Sequence, residues 1–138
     1  MNCYHYSELA VGQSESFSVS VTEDTLEQFC RLSGDDNPLH QDADYARSAG
    51  FPGRAAYGML TASFLSTLAG VYLPGKYSLI HSVDIEFPQP VFPGDQLTIS
   101  GAITEKDDRF QCIYLKVIIR NQKNQKVCRG KMRIGVLQ

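Results

Sequence analysis

The sequence has no surplus of positive charge. Its 138 residues include 13 lysines and arginines against 15 aspartates and glutamates, which gives a formal net charge of −2. Proteins that bind nucleic acid through its phosphates normally carry a basic patch or stripe. The composition therefore argues against a nucleic-acid partner, and its 43% of hydrophobic residues is typical of an ordinary globular protein.

Cysteine motifs for metal binding or redox chemistry are also absent from the sequence. The four cysteines, Cys3, Cys30, Cys112 and Cys128, form no CxxC or CxxH pair, which are the spacings typical of zinc sites and redox-active dithiols. We therefore predict reduced thiols and no metal site.

A secretory leader is missing from the N-terminal residues 1–12, because no basic start is followed by a long apolar run. This favours a cytoplasmic protein. Residues 55–75 carry no charge, and a membrane span needs about 20 apolar residues. Their serines and threonines lower the hydrophobicity, however, and a helix that is apolar on all sides also suits a protein core. We predict a buried helix.

Neither a phosphate-binding loop nor a nucleophile elbow is present. The glycine-rich run GRAAYG at 53–58 lacks the GK[ST] ending of a P-loop, and the sequence contains no GxSxG. Internal repeats and linkers are absent as well, so we expect one domain that covers residues 1–138.

Hydrophobic periodicity predicts an α+β fold in which one buried helix covers an antiparallel sheet. Thr22 and Asp42 are candidate N-caps for two helices, Gly34 is the expected end of the first, and the charge-free helix begins near Gly58. The predicted strands are 15–21, 77–87, 96–105, 109–120 and 126–136. Strict alternation in the second strand predicts one shared face for Tyr77, Leu79, His81, Val83, Ile85 and Phe87.

The octet SGDDNPLH, residues 33–40, concentrates polar groups without a hydrophobic rhythm. Asp35 and His40 are five residues apart, a spacing that neither a helix nor a strand would bring to one face. A loop bent by Asn37 and Pro38 could bring them together. A local triad of Ser33 with these two residues is conceivable but has no support in the pattern, and the simplest alternative is an ordinary polar loop.

The segment from about Thr25 to Gly94 resembles the MaoC-like (R)-specific enoyl-CoA hydratases. The resemblance lies in FCRLSGDDNPLHQDADYARSAGFPGRAAYGML and in SFLS, LPGK and FPQPVFPGD further along the chain. It implies a hot-dog fold, in which an antiparallel sheet wraps around one long central helix, and an edge-to-edge homodimer.

The resemblance also implies a set of site residues. Asp35 and His40 correspond to the family's catalytic pair, Asn37 supports them, and the backbone N–H of Gly58 corresponds to the donor that binds the thioester oxygen. Ser66, in the central helix, is expected near the pair. Tyr57 replaces the histidine that the family usually has before this glycine, and we expect a difference in the oxyanion loop, the acyl pocket or the substrate range. Asp36 is expected to be a solvated loop acid.

The reaction implied by the resemblance adds water to a trans-2-enoyl thioester and gives an (R)-3-hydroxyacyl thioester, or runs in reverse. A metal or redox cofactor is not expected, because the thioester itself activates the double bond. The substrate would be carried on coenzyme A or on an acyl carrier protein. Arg54 and Lys76 are candidate contacts for its phosphates, although surface cations are usually only solvated.

Two alternative functions remain open from the sequence. An acyl-CoA thioesterase of the same fold would normally place an acid on the central helix, and residues 58–70 contain none. A non-catalytic protein that binds acyl thioesters is suggested only by Tyr57.

Overall fold

The computed structural model describes residues 1–137 and contains one five-stranded antiparallel sheet. Its strands are β1 (Ser14–Ser20), β2 (Ser78–Glu86), β3 (Gln96–Asp107), β4 (Cys112–Arg120) and β5 (Lys126–Val136). Their order across the sheet is β1-β3-β4-β5-β2. Strands β1 and β2 are therefore the two edges.

The first two helices overlap the ends of the octet, and the other two follow it. They are α1 (Glu23–Ser33), α2 (Pro38–Gln41), α3 (Ala43–Ser48) and α4 (Gly58–Thr67), and α4 continues as a π-helical turn over Leu68–Tyr72. A short 3₁₀ turn, Tyr6–Glu8, lies before β1. Of the helices formed by residues 1–137, none is both long and apolar enough to cross a membrane.

The predicted caps of α1 and α3 are confirmed. The Thr22 hydroxyl accepts a hydrogen bond from the Thr25 N–H at 3.1 Å, and Gly34 ends α1 at φ 77° with its N–H bonded to the Cys30 carbonyl at 2.8 Å. The Asp42 carboxylate accepts from the N–H groups of Asp44 and Tyr45. Side-chain oxygens thus satisfy helix N–H groups that have no partner within the helix.

Helix α4 packs on the inner face of the sheet, as predicted. Leu65 and Leu68 are buried in the same cluster as strand residues such as Ile99 and Leu115. A Cβ atom on Gly101 of β3 would lie 2.8 Å from the Leu68 side chain, so a glycine lets the helical segment approach the sheet closely. One strip of α4 stays exposed, where Met59 is 66% accessible.

The predicted face of β2 is wrong because the strand contains a bulge. Ile80 lies opposite Ile134, whereas Ser82 lies opposite Arg133, and His81 is the extra residue between these pairs. An inserted residue moves the following side chains to the other face. Val83, opposite the buried Met132, therefore faces the α4 side, and Leu79, opposite Gly135, does not.

Candidate active site

The octet begins with Ser33, the last residue of α1, continues as a loop over residues 34–37, and ends in the helical turn α2. Asn37 caps α2, and its side-chain oxygen accepts from the Leu39 N–H at 2.9 Å. Pro38 occupies the first turn of α2, a position where proline has no N–H to lose and its φ is already suitable. The prediction of a loop over the whole octet is therefore wrong for residues 38–40, and His40 is held by a helical turn.

Asp35 is fixed by hydrogen bonds to its backbone and to one carboxylate oxygen. Its Oδ1 accepts from the Asn37 N–H at 3.1 Å, and its own N–H donates to the Ser33 hydroxyl at 3.2 Å. Its carbonyl accepts from the Tyr57 hydroxyl at 2.6 Å. Oδ2 takes part in none of these bonds, so one carboxylate oxygen is left for a ligand.

His40 has a defined tautomer when it is neutral. Its Nδ1 lies 2.7 Å from the Ala55 carbonyl, and a carbonyl oxygen can only accept, so Nδ1 carries the hydrogen. The lone pair of the neutral ring is then on Nε2, where it can accept a proton. This arrangement suits a general base.

Arg54 holds the backbone of His40 in place. Its Nε donates to the His40 carbonyl at 2.7 Å, and its guanidinium forms an ion pair with Glu27 at 2.6 Å. Both contacts lie within the protein, and they give Arg54 a positioning role that differs from the predicted phosphate contact.

Tyr57 connects the loop, α2 and α4. It is 2% exposed, and its ring centroid lies 4.1 Å from that of His40. Its hydroxyl donates to the Asp35 carbonyl and accepts from the Gln41 amide at 2.7 Å. Burial raises the pKa of Tyr57 to about 12, and a hydrogen bond with Cys30 acts in the same direction. The hydroxyl therefore keeps its proton at neutral pH.

Gly58 is the first residue of α4. The first helical hydrogen bond runs from the Thr61 N–H to the Tyr57 carbonyl at 3.1 Å, so the N–H of Gly58 lies before it, at the positive end of the helix. A Cβ atom at Gly58 would lie 3.7 Å from the ring of Phe87, an ordinary contact distance.

Two adjoining cavities meet at these residues. One, of about 440 Å³, is lined by Phe29, Ser33, Asp35, His40, Tyr57, Gly58, Met59 and Phe87. The other, of about 320 Å³, is lined largely by apolar side chains such as Leu39, Phe51 and Val91. His40, Gly58 and Phe87 border both cavities.

The structure thus places four of the six residues suggested by the sequence around one cavity: Asp35, His40, Tyr57 and Gly58. Asn37 acts as the cap of α2 and does not line the cavity. Ser66 is exposed and lines neither cavity, and eight helical residues place it about 12 Å along α4 from Gly58. Its predicted place beside the pair is not seen in the single chain.

The sequence did not reveal Gln41 and the Ala55 carbonyl as positioning groups. Their partners are 16 and 15 residues away along the chain, respectively, and no local pattern signals such contacts. Within residues 1–137, no group of three or more histidine, cysteine, aspartate or glutamate side chains is placed to hold a metal ion.

A family model described as the MaoC-like domain matches residues 8–125. The chain belongs to the MaoC-like family. Among the relatives of this MaoC-like protein, an (R)-specific enoyl-CoA hydratase of Rhodospirillum rubrum is 35% identical over 107 residues, covering 75% of this chain and 74% of the relative. An (R)-specific enoyl-CoA hydratase of Aeromonas caviae is 38% identical over 96 residues, covering 70% and 72%.

Solved structures show the same fold. The unliganded R-hydratase PhaJ1 of Pseudomonas aeruginosa matches with a TM-score of 0.91 at 32% identity, covering 97% of this chain and 86% of that one. The (R)-hydratase of A. caviae involved in PHA biosynthesis matches with a TM-score of 0.89 at 32% identity, covering 93% and 97%. The sheet and central helix of the MaoC-like protein are thus a hot-dog fold.

Proposed function

We propose that this MaoC-like protein catalyses the (R)-specific hydration of trans-2-enoyl thioesters to (R)-3-hydroxyacyl thioesters, and the reverse dehydration. One observation carries the proposal: the carboxylate of Asp35, the imidazole of His40 and the first residue of α4 border a single cavity. The activities named for the relatives from R. rubrum and A. caviae agree with it.

In the proposed mechanism, Asp35 and His40 activate one water molecule. A typical aspartate is ionised at neutral pH and a typical histidine is mostly neutral, so the two can jointly hold and deprotonate water. Nε2 of His40 is the proton acceptor, because Nδ1 already donates to the Ala55 carbonyl. The hydroxyl adds to C3 of the substrate, and a proton is returned to C2.

Gly58 stabilises the negative charge that moves onto the thioester oxygen as the water oxygen attacks. Its backbone N–H lies at the N-terminus of α4, where the helix dipole favours an anion. Loss of one such donor typically costs about 3 kcal/mol of transition-state stabilisation. Tyr57, Asn37 and Arg54 act indirectly in this mechanism, since they fix the backbones of Asp35 and His40.

The proposed reaction needs no metal or redox cofactor, because the thioester activates the double bond. The acyl group is carried on coenzyme A or on an acyl carrier protein. We further propose that residues 1–138 act as one domain in the cytoplasm.

We also propose that the protein forms a homodimer. Strand β2 is an edge of the sheet, and it exposes the apolar residues Leu79, Ile80 and Val83. An exposed apolar edge strand is prone to pair with another strand. Pairing of two copies through β2 would give hydrogen-bond partners to the free backbone N–H and C=O groups of both edge strands, in a dimer with C2 symmetry.

The proposed function is tested with crotonyl-CoA by following both loss of the conjugated enone and release of free thiol. We expect enone loss without thiol, and (R)-3-hydroxybutyryl-CoA as the product on chiral analysis. Thiol release would identify a thioesterase instead, and binding without either change would identify a binding protein.

Substitutions of Asp35 and His40 test their assignment as the catalytic pair. Asp35→Asn and His40→Ala should each lower turnover by at least about 100-fold, since each removes a group that transfers or orients a proton. Asp36→Asn and His5→Ala are matched controls, because both side chains are exposed and line neither cavity. Near-normal turnover in both pair variants would refute the assignment.

A further inference from the structure

A third cavity, of about 600 Å³, lies on the outer face of the sheet, on the side away from α4. Lys116 of β4 lines it and is exposed, whereas its neighbours Leu115 and Val117 are buried in the core. Alternate residues of a strand point to opposite faces, so Lys116 points away from the helix. We call this cavity the outer-face groove; its basic residues are Lys116, Lys126, Arg129 and Lys131.

The outer-face groove concentrates positive charge in a chain whose net charge is −2. Its four cations face two carboxylates, Asp84 and Glu86, and Glu86 is already paired with Arg129. Within residues 1–137, Lys116 and Lys131 form no ion pair. They lie directly opposite each other in the β4–β5 ladder.

Like charges directly opposite each other destabilise a sheet. Lys131 also lies opposite Asp84 in the β2–β5 ladder, and this carboxylate offsets part of the repulsion. The four cations still outnumber the two carboxylates of the groove, and an anionic ligand would balance the excess positive charge. Ammonium groups bind phosphates as point charges without a fixed bonding geometry, which suits two lysines at adjacent strand positions. The chemistry of the groove points to a compact, multiply charged anion.

The groove adjoins the candidate active site at one end of the sheet. Glu86 lines the groove, and the next residue, Phe87, borders both active-site cavities. Similarly, Lys126 lines the groove, and the next residue, Val127, lines the apolar cavity. A long flexible ligand that has its reactive end beside His40 can therefore reach the groove around the end of β2.

We propose that the outer-face groove binds the phosphate groups at the nucleotide end of coenzyme A while the acyl group occupies the active site. This inference rests on the proposed function and specifies the carrier. A small basic concavity fits the clustered diphosphate and ribose phosphate of one nucleotide. The acidic surface of a carrier protein would instead require cations spread over a wide area.

Two substrates with the same acyl group test the inference. Crotonyl-CoA carries the phosphates, whereas the crotonyl thioester of N-acetylcysteamine has none. Lys116→Glu and Lys131→Glu should each raise KM for crotonyl-CoA about tenfold, the usual size of one lost charge-assisted contact, with kcat little changed. KM for the truncated thioester should stay the same, and added salt should weaken only crotonyl-CoA binding.

Arg109→Glu is the matched control. It makes the same charge change at an exposed residue of the turn between β3 and β4, which does not line the groove. An equal rise in KM for both substrates, or an equal effect of Arg109→Glu, would overturn the inference. A larger effect on crotonyl carrier protein than on crotonyl-CoA would assign the groove to a protein partner and overturn it as well.

Binding of free coenzyme A, compared with pantetheine by calorimetry, separates this inference from the proposed function. If the wild-type protein turns over neither thioester, the proposed function fails. Tighter binding of coenzyme A than of pantetheine, lost in Lys116→Glu, would still support the groove. Equal affinity for the two compounds would refute it.

Discussion

Tyr57 is the side chain that joins the separate parts of the site. Its hydroxyl connects the Asp35 carbonyl to the Gln41 amide, and its ring lies against those of His40 and Phe29. A phenylalanine would keep the ring contacts and leave both polar partners without the hydroxyl. Each lost hydrogen bond typically costs about 1 kcal/mol.

The raised pKa of Tyr57 predicts a loss of stability in alkali. The folded-state pKa of about 12 lies above the ordinary tyrosine pKa of 10.0, so the folded protein holds this proton more tightly than the unfolded chain does. The resulting stability is present below pH 10 and is lost as the pH rises through 12. The advantage of wild type over Tyr57→Phe in the free energy of unfolding should therefore shrink across this range, as measured by urea denaturation.

Tyr45→Phe is the control for this prediction, because Tyr45 is 48% exposed. The difference between wild type and Tyr45→Phe should stay constant over the same pH range. A constant difference for Tyr57→Phe would contradict the prediction.

Some residues of the site could be found from the sequence and others could not. Asp35 and His40 stand in a distinctive octet, and the resemblance supplied their proposed roles. The contacts of Tyr57 could not be predicted, because its hydrogen-bond partners lie 16 and 22 residues away along the chain. Such contacts depend on how α2 and α4 pack together.

At the scale of elements, the start of α4 allows the backbone donor to be tested directly. Gly58 occupies the first helical position, where proline is tolerated. Tyr57 has φ −64° and ψ 131°, an extended conformation that suits a residue before proline. Gly58→Pro therefore removes the N–H while α4 is kept.

Gly58→Pro should lower turnover on crotonyl-CoA by a factor on the order of 10² to 10³, since one oxyanion donor is lost. Gly58→Ala keeps the N–H, and its Cβ would meet Phe87 at 3.7 Å, an ordinary contact distance; its turnover should therefore exceed that of the proline variant. Circular dichroism would verify that both variants are folded. Equal turnover in the two folded variants would exclude Gly58 as the donor.

The ends of the elements show what local sequence can determine. Thr22, Gly34 and Asp42 act through bonds to residues at most four positions away, and all three were predicted correctly. The bulge at His81 was missed because it arises from the pairing of β2 with β5. Alternating hydrophobicity within one strand contains no information about the register of its partner.

At the scale of the whole molecule, the main prediction concerns assembly. A homodimer through β2 should have about twice the mass of the 15.3 kDa chain in sedimentation experiments. Val83→Lys should shift the population towards monomer, because a lysine on an edge strand opposes pairing with another strand. Val83 is 44% exposed, so the fold itself should tolerate the change.

Thr98→Lys is the control for assembly. Thr98 is exposed on β3, which is not the edge strand proposed to pair. Its sedimentation should match that of wild type. A wild-type protein that sediments only as a monomer would rule out the proposed assembly.

The position of Phe87 between two cavities has a consequence for how the protein can diversify. Because the reacting centre borders one compartment lined by Phe51 and Val91 and another lined by Asp35 and Tyr57, different walls confine different parts of a bound molecule. Substitutions at Phe51 or Val91 would change which acyl chains fit the apolar cavity, and they would leave Asp35 and its surroundings unchanged. Selectivity for the acyl chain can therefore change during evolution while the chemical step is preserved.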